Sequence, residues 1–324
     1  MDRKISVAMA AYNGEKFIVE QIESILTQSV IADEIIICDD SPDESTFRAI
    51  QHLIATFPLI IKYHHNDTQL GVSKNFEKAV SLCSGNIIFL ADQDDVWQTD
   101  KIEILSALID NSGSPSGAFC DSALVNELLM PLERTHWELR GFTPDLLRTD
   151  AFGQFAVFCR RVPPTGHNMA FSAKLKDVLL PFPPLPECHD TWIGLIIAAT
   201  SGWALTNKKL TLWRQHSANV SQADRRSQLQ EALESIKNNT FQWNAILFEE
   251  LFRRLSESTY RIETGIMELI RDRCEHSAAR AKMQCNIFKR IPLILGEIIN
   301  RRYFKYARGW KSVFQDSVLR MLVR

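Results

Sequence analysis

Apolar runs of strand length alternate with helix-like segments along the first 110 residues. The predicted strands cover residues 4–10, 34–38, 60–64 and 87–91, and the predicted helices cover 15–27, 44–57, 73–82 and 101–111. The helical segments carry apolar residues at helical spacing, whereas the strand segments are short and apolar. Strands joined by helices form a parallel sheet with right-handed connections and helices on both faces. The alternation therefore predicts an α/β fold.

Carboxylates follow two of the predicted strands. Asp39 and Asp40 come directly after the second strand, and Asp92, Asp94 and Asp95 follow the fourth. Ligands of open parallel sheets bind beyond the carboxyl ends of the strands. Five carboxylates at one edge would repel one another unless a cation or the donors of a ligand shared them. Because the segment lacks zinc-type His and Cys spacing, carboxylate oxygens there favour Mg²⁺ or Mn²⁺.

Other interpretations of these acids are weaker but remain open. Asp39, Asp40 and Asp43 can cap the helix predicted to begin near Glu44, although capping does not explain the group from 92 to 95. A dinucleotide site is disfavoured because no GxGxxG follows the first strand. An aspartyl-nucleophile phosphatase would need its DxD after the first strand, whereas here it follows the fourth.

Composition excludes several classes of protein. The 324 residues hold 37 Lys and Arg against 39 Asp and Glu, and this balance argues against a nucleic-acid partner. The seven cysteines are odd in number and widely spread, which is typical of core residues in a reducing cytoplasm. No apolar stretch reaches the roughly 18 residues that a membrane span needs, and the first residues do not form a signal peptide. A cytoplasmic protein is expected.

Seven segments resemble the family-2 glycosyltransferases of the GT-A fold, in the order and spacing of that family. Within it they are most similar to bacterial rhamnosyltransferase-like enzymes of surface polysaccharide synthesis. The segments are ISVAMAAYNG, DEIIICDDSPDES, QLGVSKNFEKAV, GNIIFLADQDDVW, TGHNMAFSAKL, HDTW and LWRQHSANVS. The resemblance implies a GT-A catalytic domain with a mainly parallel mixed sheet over residues 1–222, followed by a helical region over 223–324.

The resemblance also implies a nucleoside diphosphate sugar as donor and a glycan or lipid-linked saccharide as acceptor, in O-antigen or capsule synthesis. Tyr12 would stack on the base, Asp40 would bond the base or ribose, and Asp92 the ribose. Lys74, at a helix start, and Arg214 would face the diphosphate. Tyr12 can instead be a partly buried turn aromatic, and Lys74 can belong to an ordinary helix start. The full set assigned to the donor is Ala10, Tyr12, Asp39, Asp40, Lys74, Asp92 and Arg214.

The same resemblance assigns the metal and the chemistry. Asp94 and His216 would ligate Mg²⁺ or Mn²⁺, although a lone histidine is more often structural. Inverting transfer needs a carboxylate that takes the proton of the acceptor hydroxyl, and Asp190 matches the family's base. It can also cap the helix predicted over 191–199. The residues implied on the acceptor side are Gly166, His167, His189 and Trp192.

The last hundred residues divide into two parts. Residues 224–283 carry apolar residues at helical spacing with a break near 256–259, which predicts an αα-hairpin used for packing or self-association. Residues 285–324 hold nine Lys and Arg against two acids, interleaved with aromatics. This composition suits peripheral contact with an anionic membrane, while RNA binding and a solvated face are alternatives. The resemblance favours the membrane, and the oligomeric state is not predicted.

Together these observations predict an inverting, metal-dependent glycosyltransferase, with rhamnose as the favoured donor sugar. Two other functions remain in view. A sugar nucleotidyltransferase would be expected to carry a glycine-rich phosphate loop after the first strand, which AAYNGEKF does not supply. The presence of Asp94, Asp190 and His216 in one chain argues against a noncatalytic nucleotide-sugar-binding protein, and an assay of transfer distinguishes the two.

Overall fold

The computed structural model describes residues 3–109, 114–147, 150–186, 188–217, 228–283 and 286–321. Its chain forms two compact units, one of Met1–Gln154 with Val162–Ala223, the other of Phe155–Arg161 with Asp224–Arg324. The domain boundary predicted between residues 222 and 223 lies outside the described residues.

Before residue 218, the described residues form nine strands and eight α-helices. The strands are β1 (Ile5–Ala11), β2 (Glu34–Asp39), β3 (Ile61–His65), β4 (Ile87–Asp92), β5 (Val96–Trp97), β6 (Gly117–Asn126), β7 (Pro131–Thr135), β8 (Met169–Ser172) and β9 (Trp203–Gln215). The helices are α1 (Ile18–Leu26), α2 (Ser45–Thr56), α3 (Val72–Leu82), α4 (Lys101–Leu108), α5 (His136–Arg140), α6 (Ala151–Phe158), α7 (Lys176–Leu179) and α8 (His189–Thr200).

The strands form one mixed sheet in the order β3-β2-β1-β4-β8-β6-β9-β5, with β7 beside β6. Strands β1 to β4 are parallel to their neighbours in this group, and β8 runs antiparallel to both β4 and β6. Strand β9 is parallel to β6, and β5 is antiparallel to β9. The predicted α/β class with a mixed sheet is therefore confirmed.

Burial explains why the first strands were readable from the sequence. Every residue of β2 is buried, and in β1 only Ala10 is partly exposed. Helices cover such parallel strands on both faces, so their sequences read as continuous apolar runs. Helix α1 buries Ile18, Ile22 and Ile25 on one face. Each of the eight predicted elements is present with its ends shifted by at most three residues.

A buried carboxylate ties three parallel strands together. Glu34 at the start of β2 accepts hydrogen bonds from Ser6 Oγ at 2.7 Å, from Lys62 Nζ at 2.5 Å and from the backbone and hydroxyl of Ser84. Burial raises the pKa of Glu34, but these donors outweigh it and lower the pKa from 4.5 to about 2. The charged form of Glu34 therefore stabilises the folded state.

Glu34→Gln is expected to lower the free energy of unfolding at pH 7 by about 2 kcal/mol, the usual cost of weakening a charged hydrogen-bonding group. The depressed pKa means that the carboxylate contributes fully above pH 4.5 and loses its contribution as the pH falls toward 2. Urea unfolding at pH 7 and pH 3.5 measures this. The difference in free energy of unfolding between wild type and Glu34→Gln should be smaller at pH 3.5 than at pH 7. The exposed Glu44→Gln control should unfold with the same free energy as wild type at both pH values. An equal difference at both pH values would contradict a stabilising role of the charged Glu34 carboxylate.

The second unit is helical. Its helices are α9 (Gln228–Lys237), α10 (Thr240–Glu257), α11 (Thr264–Lys282), α12 (Ile287–Ile299), α13 (Arg302–Tyr306) and α14 (Trp310–Ser317). Helices α10 and α11 pack against each other and are joined by residues 258–263, so the predicted αα-hairpin is present.

Several basic residues of the last segment point inward. Asp316, fully buried, accepts hydrogen bonds from Arg280 Nε at 2.7 Å, Arg320 Nε at 2.9 Å and Tyr303 Oη at 2.8 Å. Arg290 is buried as well and donates to the backbone carbonyl of Asp316 at 3.0 Å. The positive charge of residues 285–324 is therefore partly internal.

Two further findings concern covalent and membrane chemistry. The six cysteines that the structure describes are free thiols, and five of them are buried. Within the described ranges, no helix combines the length and the apolar character that crossing a membrane requires.

Candidate active site

The register of the sheet brings the predicted acids to one edge. Ala10 lies opposite Cys38 on one side and Asp92 on the other, and Ala11 lies opposite Asp39. The carboxyl ends of β1, β2 and β4 therefore meet, as parallel strands require. The side chains at the end of β1, Ala10 and Ala11, are small and leave space beside the ends of β2 and β4.

Asp39 and Asp40 are both buried and held by protein donors. Asp39 accepts hydrogen bonds from the backbone and hydroxyl of Ser41 and from Tyr63 Oη at 2.6 Å. Asp40 accepts from Asn66 Nδ2 at 2.5 Å and from the backbone amides of residues 70 and 71 at 3.1 and 2.7 Å. Both carboxylates therefore fix the loops after β2 and β3. Their predicted contact with base or ribose remains a prediction.

Tyr12 projects from the loop after β1, with 46% of its surface exposed. The side chain of Gln93 holds its backbone: Tyr12 N donates to Gln93 Oε1, and Gln93 Nε2 donates to the Tyr12 carbonyl, both at 2.8 Å. A side chain at Gly14 would meet Gln93 Oε1 at 2.3 Å, so Gln93 would have to move away from its hydrogen bonds with Tyr12. This exposure leaves the ring open to a ligand, and Gln93 is a site residue that the sequence analysis did not identify.

Asp94 and His216 come together although 122 positions separate them in the chain. His216 Nε2 lies 2.9 Å from Asp94 Oδ2, and the imidazole packs against Phe17 with ring centroids 4.8 Å apart. The pairing arises because β9 ends beside the loop that follows β4. The structure therefore places the two predicted metal ligands side by side.

Arg214 is buried behind the same loop. Its backbone amide donates to Asp95 Oδ1 at 3.0 Å, and its Nε donates to the Asp94 carbonyl at 2.7 Å. Its guanidinium also pairs with Glu20 and lies 4.6 Å from the ring of Phe17. In this arrangement Arg214 positions the Asp94 loop, and its predicted contact with the diphosphate remains a prediction.

Asp190 lies in the first turn of α8, not at its N-cap, which is Cys188. His189 Nε2 is 2.9 Å from Asp190 Oδ1, and the His189 ring stacks on Phe76 at 4.5 Å. A Cβ on Gly166 would lie 3.2 Å from Asp190 Oδ1 and 3.7 Å from Asp92 Oδ1. The predicted base therefore faces the end of β4 across Gly166.

Three other predicted residues have buried or diverted side chains. Lys74 Nζ contacts Glu77 Oε2 at 2.7 Å and the Phe182 carbonyl at 3.1 Å. The His167 ring is buried and stacks on that of Trp213 at 5.1 Å. Trp192 is fully buried and donates from Nε1 to the Leu179 carbonyl at 2.8 Å. Lys74 and Trp192 therefore make contacts other than the predicted ones, whereas one ligand atom of His167 lies within 4.8 Å of those of Asp92 and Asp95.

Electrostatic repulsion within the site is strong. Burial, with the neighbouring Asp94 and Asp190 carboxylates, raises the pKa of Asp92 to about 7. Burial and Asp94 likewise raise the pKa of Asp95 well above its usual range. Lys101, fully buried beneath them, donates to the His167 carbonyl at 2.7 Å, and burial lowers its pKa to about 8. A bound cation would relieve this repulsion.

The donor set fits a divalent cation. Asp92, Asp94 and His216 are each partly exposed and can be reached from solvent. A deeper group also exists, because one ligand atom each of Asp92, Asp95 and His167 lies within 4.8 Å of the others. Asp95 and His167 are buried, however, so the solvent-accessible pair Asp94 and His216 is the better candidate.

Under the role that the resemblance implies for Asp190, Gly166→Ala is expected to lower turnover about tenfold while leaving nucleotide binding within about threefold. The new methyl group would lie 3.2 Å from Asp190 Oδ1 and displace it by a few tenths of an ångström. A catalytic group that is displaced from its productive position lowers the rate of reaction. Steady-state kinetics and calorimetry check the two effects. Gly296→Ala is the matched control, since nothing lies within 4 Å of its added carbon. A Gly166→Ala enzyme with normal turnover would show that Asp190 is not confined there.

Comparison with known proteins supports the resemblance over the first half of the chain. The family model described as Glycosyl transferase family 2 matches residues 6–162, which confirms the family recognised from the sequence. The chain is 34% identical over 100 residues to a chondroitin synthase of Escherichia coli, covering 31% of this chain and 14% of that protein. It is 36% identical over 99 residues to the dTDP-rhamnosyl transferase RfbG of Shigella flexneri, covering 29% and 34%.

These alignments are partial, since the chain spans about a third or less of the length of either relative. A solved structure extends the likeness of the fold. The mannosyltransferase PcManGT from Pyrobaculum calidifontis, in complex with GDP-Man and Mn²⁺, aligns with a TM-score of 0.55 at 14% identity, over 99% of this chain and 87% of that one. The predicted GT-A fold class is confirmed.

Proposed function

We propose that this chain, whose residues 6–162 belong to glycosyl transferase family 2, is an inverting, metal-dependent glycosyltransferase that uses a nucleoside diphosphate sugar. One observation carries the proposal. The Asp94 and His216 pair and the Asp190 carboxylate both adjoin Asp92, at the edge where β1, β2 and β4 end. A cation-binding pair and a candidate base thus share one edge of the sheet.

Asp190 acts as the general base. Its carboxylate takes the proton of the acceptor hydroxyl as that oxygen attacks the anomeric carbon, and the bond to the diphosphate breaks on the opposite side. His189, 2.9 Å away and stacked on Phe76, orients the carboxylate. Gly166 keeps the space in front of Asp190 open, because any side chain there would press on Asp190.

Asp94 and His216 would hold Mg²⁺ or Mn²⁺, and a bound ion would supply positive charge beside the leaving diphosphate. Arg214 keeps the Asp94 loop in place through its carbonyl. Tyr12, presented by Gln93, stacks on the nucleotide base. The GDP-Man and Mn²⁺ of the PcManGT complex support both the donor class and the metal.

The donor sugar and acceptor follow from the relatives. Rhamnose is the favoured sugar because of the likeness to a dTDP-rhamnosyl transferase. The acceptor is a glycan or lipid-linked glycan of a surface polysaccharide, either O-antigen or capsule. The proposed location of the protein is the cytoplasm, where it makes peripheral contact with the inner face of the cell membrane.

A panel of nucleotide sugars tests the reaction class. Incubated with Mg²⁺ or Mn²⁺ and no acceptor, the protein should slowly hydrolyse one donor to free sugar and nucleoside diphosphate, and EDTA should stop the reaction. A sugar nucleotidyltransferase supplied with pyrophosphate would instead release nucleoside triphosphate and sugar phosphate. Binding of a donor with no turnover, even when a lipid-linked acceptor is added, would favour a noncatalytic binding protein.

A further inference from the structure

Helix α12 has an inverted pattern of polarity. Its buried positions include Arg290 and Glu297, whereas its most exposed positions are apolar. Glu297 is held by His276 Nδ1 at 2.5 Å and by Arg302 Nη1 at 3.2 Å. A helix on a water-exposed surface normally turns its polar face outward. The outward face of α12 is therefore suited to an apolar environment.

The exposed apolar residues form one row, here called the α12 stripe: Phe288, Ile291, Leu295 and Ile299. Their exposed fractions are 81%, 45%, 52% and 79%. At 3.6 residues per turn these four positions lie within about 80° of one another around the helix. The row runs the length of α12, and a run of large side chains exposed in this way marks an interaction site.

Charge around the stripe identifies its partner. All five exposed charged residues in the described part of residues 286–321 are basic: Lys289, Arg301, Lys305, Arg308 and Lys311. The two acids of the same segment, Glu297 and Asp316, are buried in pairs with basic groups. An apolar face on a segment whose exposed charges are all basic is complementary to a bilayer with anionic headgroups, although Lys305 also pairs with Asp272 of α11 at 2.8 Å.

A second copy of the chain fits the stripe less well. A stable interface buries about 800 Å² on each partner and involves 20 to 30 residues, whereas the stripe is a single row of four. Self-association through it would also bring the exposed cations of two copies together. A lipid surface therefore explains the combination of the α12 stripe with exposed basic residues better than a second copy of the chain does.

We infer that α12 lies in the plane of an anionic membrane and inserts the α12 stripe below the headgroups. The inference rests on the peripheral membrane contact proposed above and names the surface that makes it. Thirteen residues give a helix of about 20 Å, too short to span a bilayer but long enough to lie in its interface. Because insertion is hydrophobic, about half of the attachment should survive high salt, unlike a purely electrostatic contact.

Sedimentation of the full-length chain with vesicles tests the inference. Wild type should pellet with phosphatidylglycerol-containing vesicles at 50 mM NaCl, and about half should remain bound at 500 mM. Phe288→Glu combined with Leu295→Glu should weaken partitioning at least tenfold. The matched control, Leu59→Glu with Leu128→Glu, replaces two leucines that are at least as exposed as Phe288 and adds the same charge, and it should pellet like wild type.

A second pair of changes separates charge from insertion. Lys289→Gln with Arg301→Gln should reduce the preference for phosphatidylglycerol over phosphatidylcholine at 50 mM NaCl and leave the salt-resistant fraction. Full release of wild type by salt would overturn the insertion. So would vesicle binding by the Phe288→Glu and Leu295→Glu variant equal to that of wild type.

Two measurements without vesicles complete the test. Light scattering should show the same mass for wild type and the Phe288→Glu and Leu295→Glu variant. A wild-type dimer that this variant dissociates would overturn the inference by making the stripe a face between copies. Donor hydrolysis in solution should be unchanged in the variant. If no protein hydrolysed any donor while the vesicle results held, the proposed function would fail and the membrane inference would stand.

Discussion

Asp94→Ala should lower metal-dependent binding of a nucleoside diphosphate by more than about 100-fold. Asp94 is a partly exposed carboxylate 2.9 Å from His216, and loss of a direct ligand should cost more than the 10-fold to 100-fold typical of residues behind the ligands. Calorimetry with Mn²⁺ measures the effect. In the absence of metal, wild type and variant should bind the nucleotide equally weakly.

Asp100→Ala provides the matched control. Asp100 is an acid of the same unit that pairs with Lys208 at 3.3 Å on the surface. It should bind nucleotide with Mn²⁺ like wild type. Unchanged binding by Asp94→Ala would remove Asp94 from the metal site and direct attention to the deeper group of Asp92, Asp95 and His167.

Asp190→Asn should retain donor binding and lose sugar transfer by about 100-fold or more, the usual contribution of a positioned general base. The amide keeps the size of the carboxylate but cannot accept the acceptor proton. With a working acceptor, kcat should fall while the dissociation constant of the donor stays within about threefold.

Asp177→Asn is the corresponding control, because Asp177 is also an acid in the first turn of a helix, α7, but is exposed. It should transfer at the wild-type rate. Near-normal turnover by Asp190→Asn would mean that Asp190 only supports the start of α8 and that another group takes the proton.

The local sequence pattern predicts the strands of the parallel half of the sheet but not the strands of the other half. Strands β1, β2 and β4 are apolar runs buried by helices, so each is visible within its own segment, whereas β3 (IKYHH) is mostly polar and has one buried residue. Strand β9 pairs with both β6 and β5, and it exposes residues 207–209 in its middle. Such pairing depends on residues about 90 to 120 positions away, which periodicity along the chain does not report.

The site residues also divide into those that the sequence identifies and those whose placement depends on the fold. Asp94 and His216 were assigned through a family resemblance, and their contact depends on the path of β9. Side-chain direction was harder to infer. In α8, residues two apart point about 200° from each other, so Trp192 is buried in the core when Asp190 faces the site. Lys101 could not be recognised as buried because its position at the start of a helix is usually solvated.

Inversion at the anomeric carbon is the most direct test of the central claim. Proton NMR can follow hydrolysis of the preferred donor with Mg²⁺ and no acceptor, and it can identify the first anomer of free sugar before mutarotation. The account predicts that this anomer is opposite to that of the donor and that nucleoside diphosphate is released in equal amount. Release of the same anomer as the donor would contradict direct displacement assisted by Asp190.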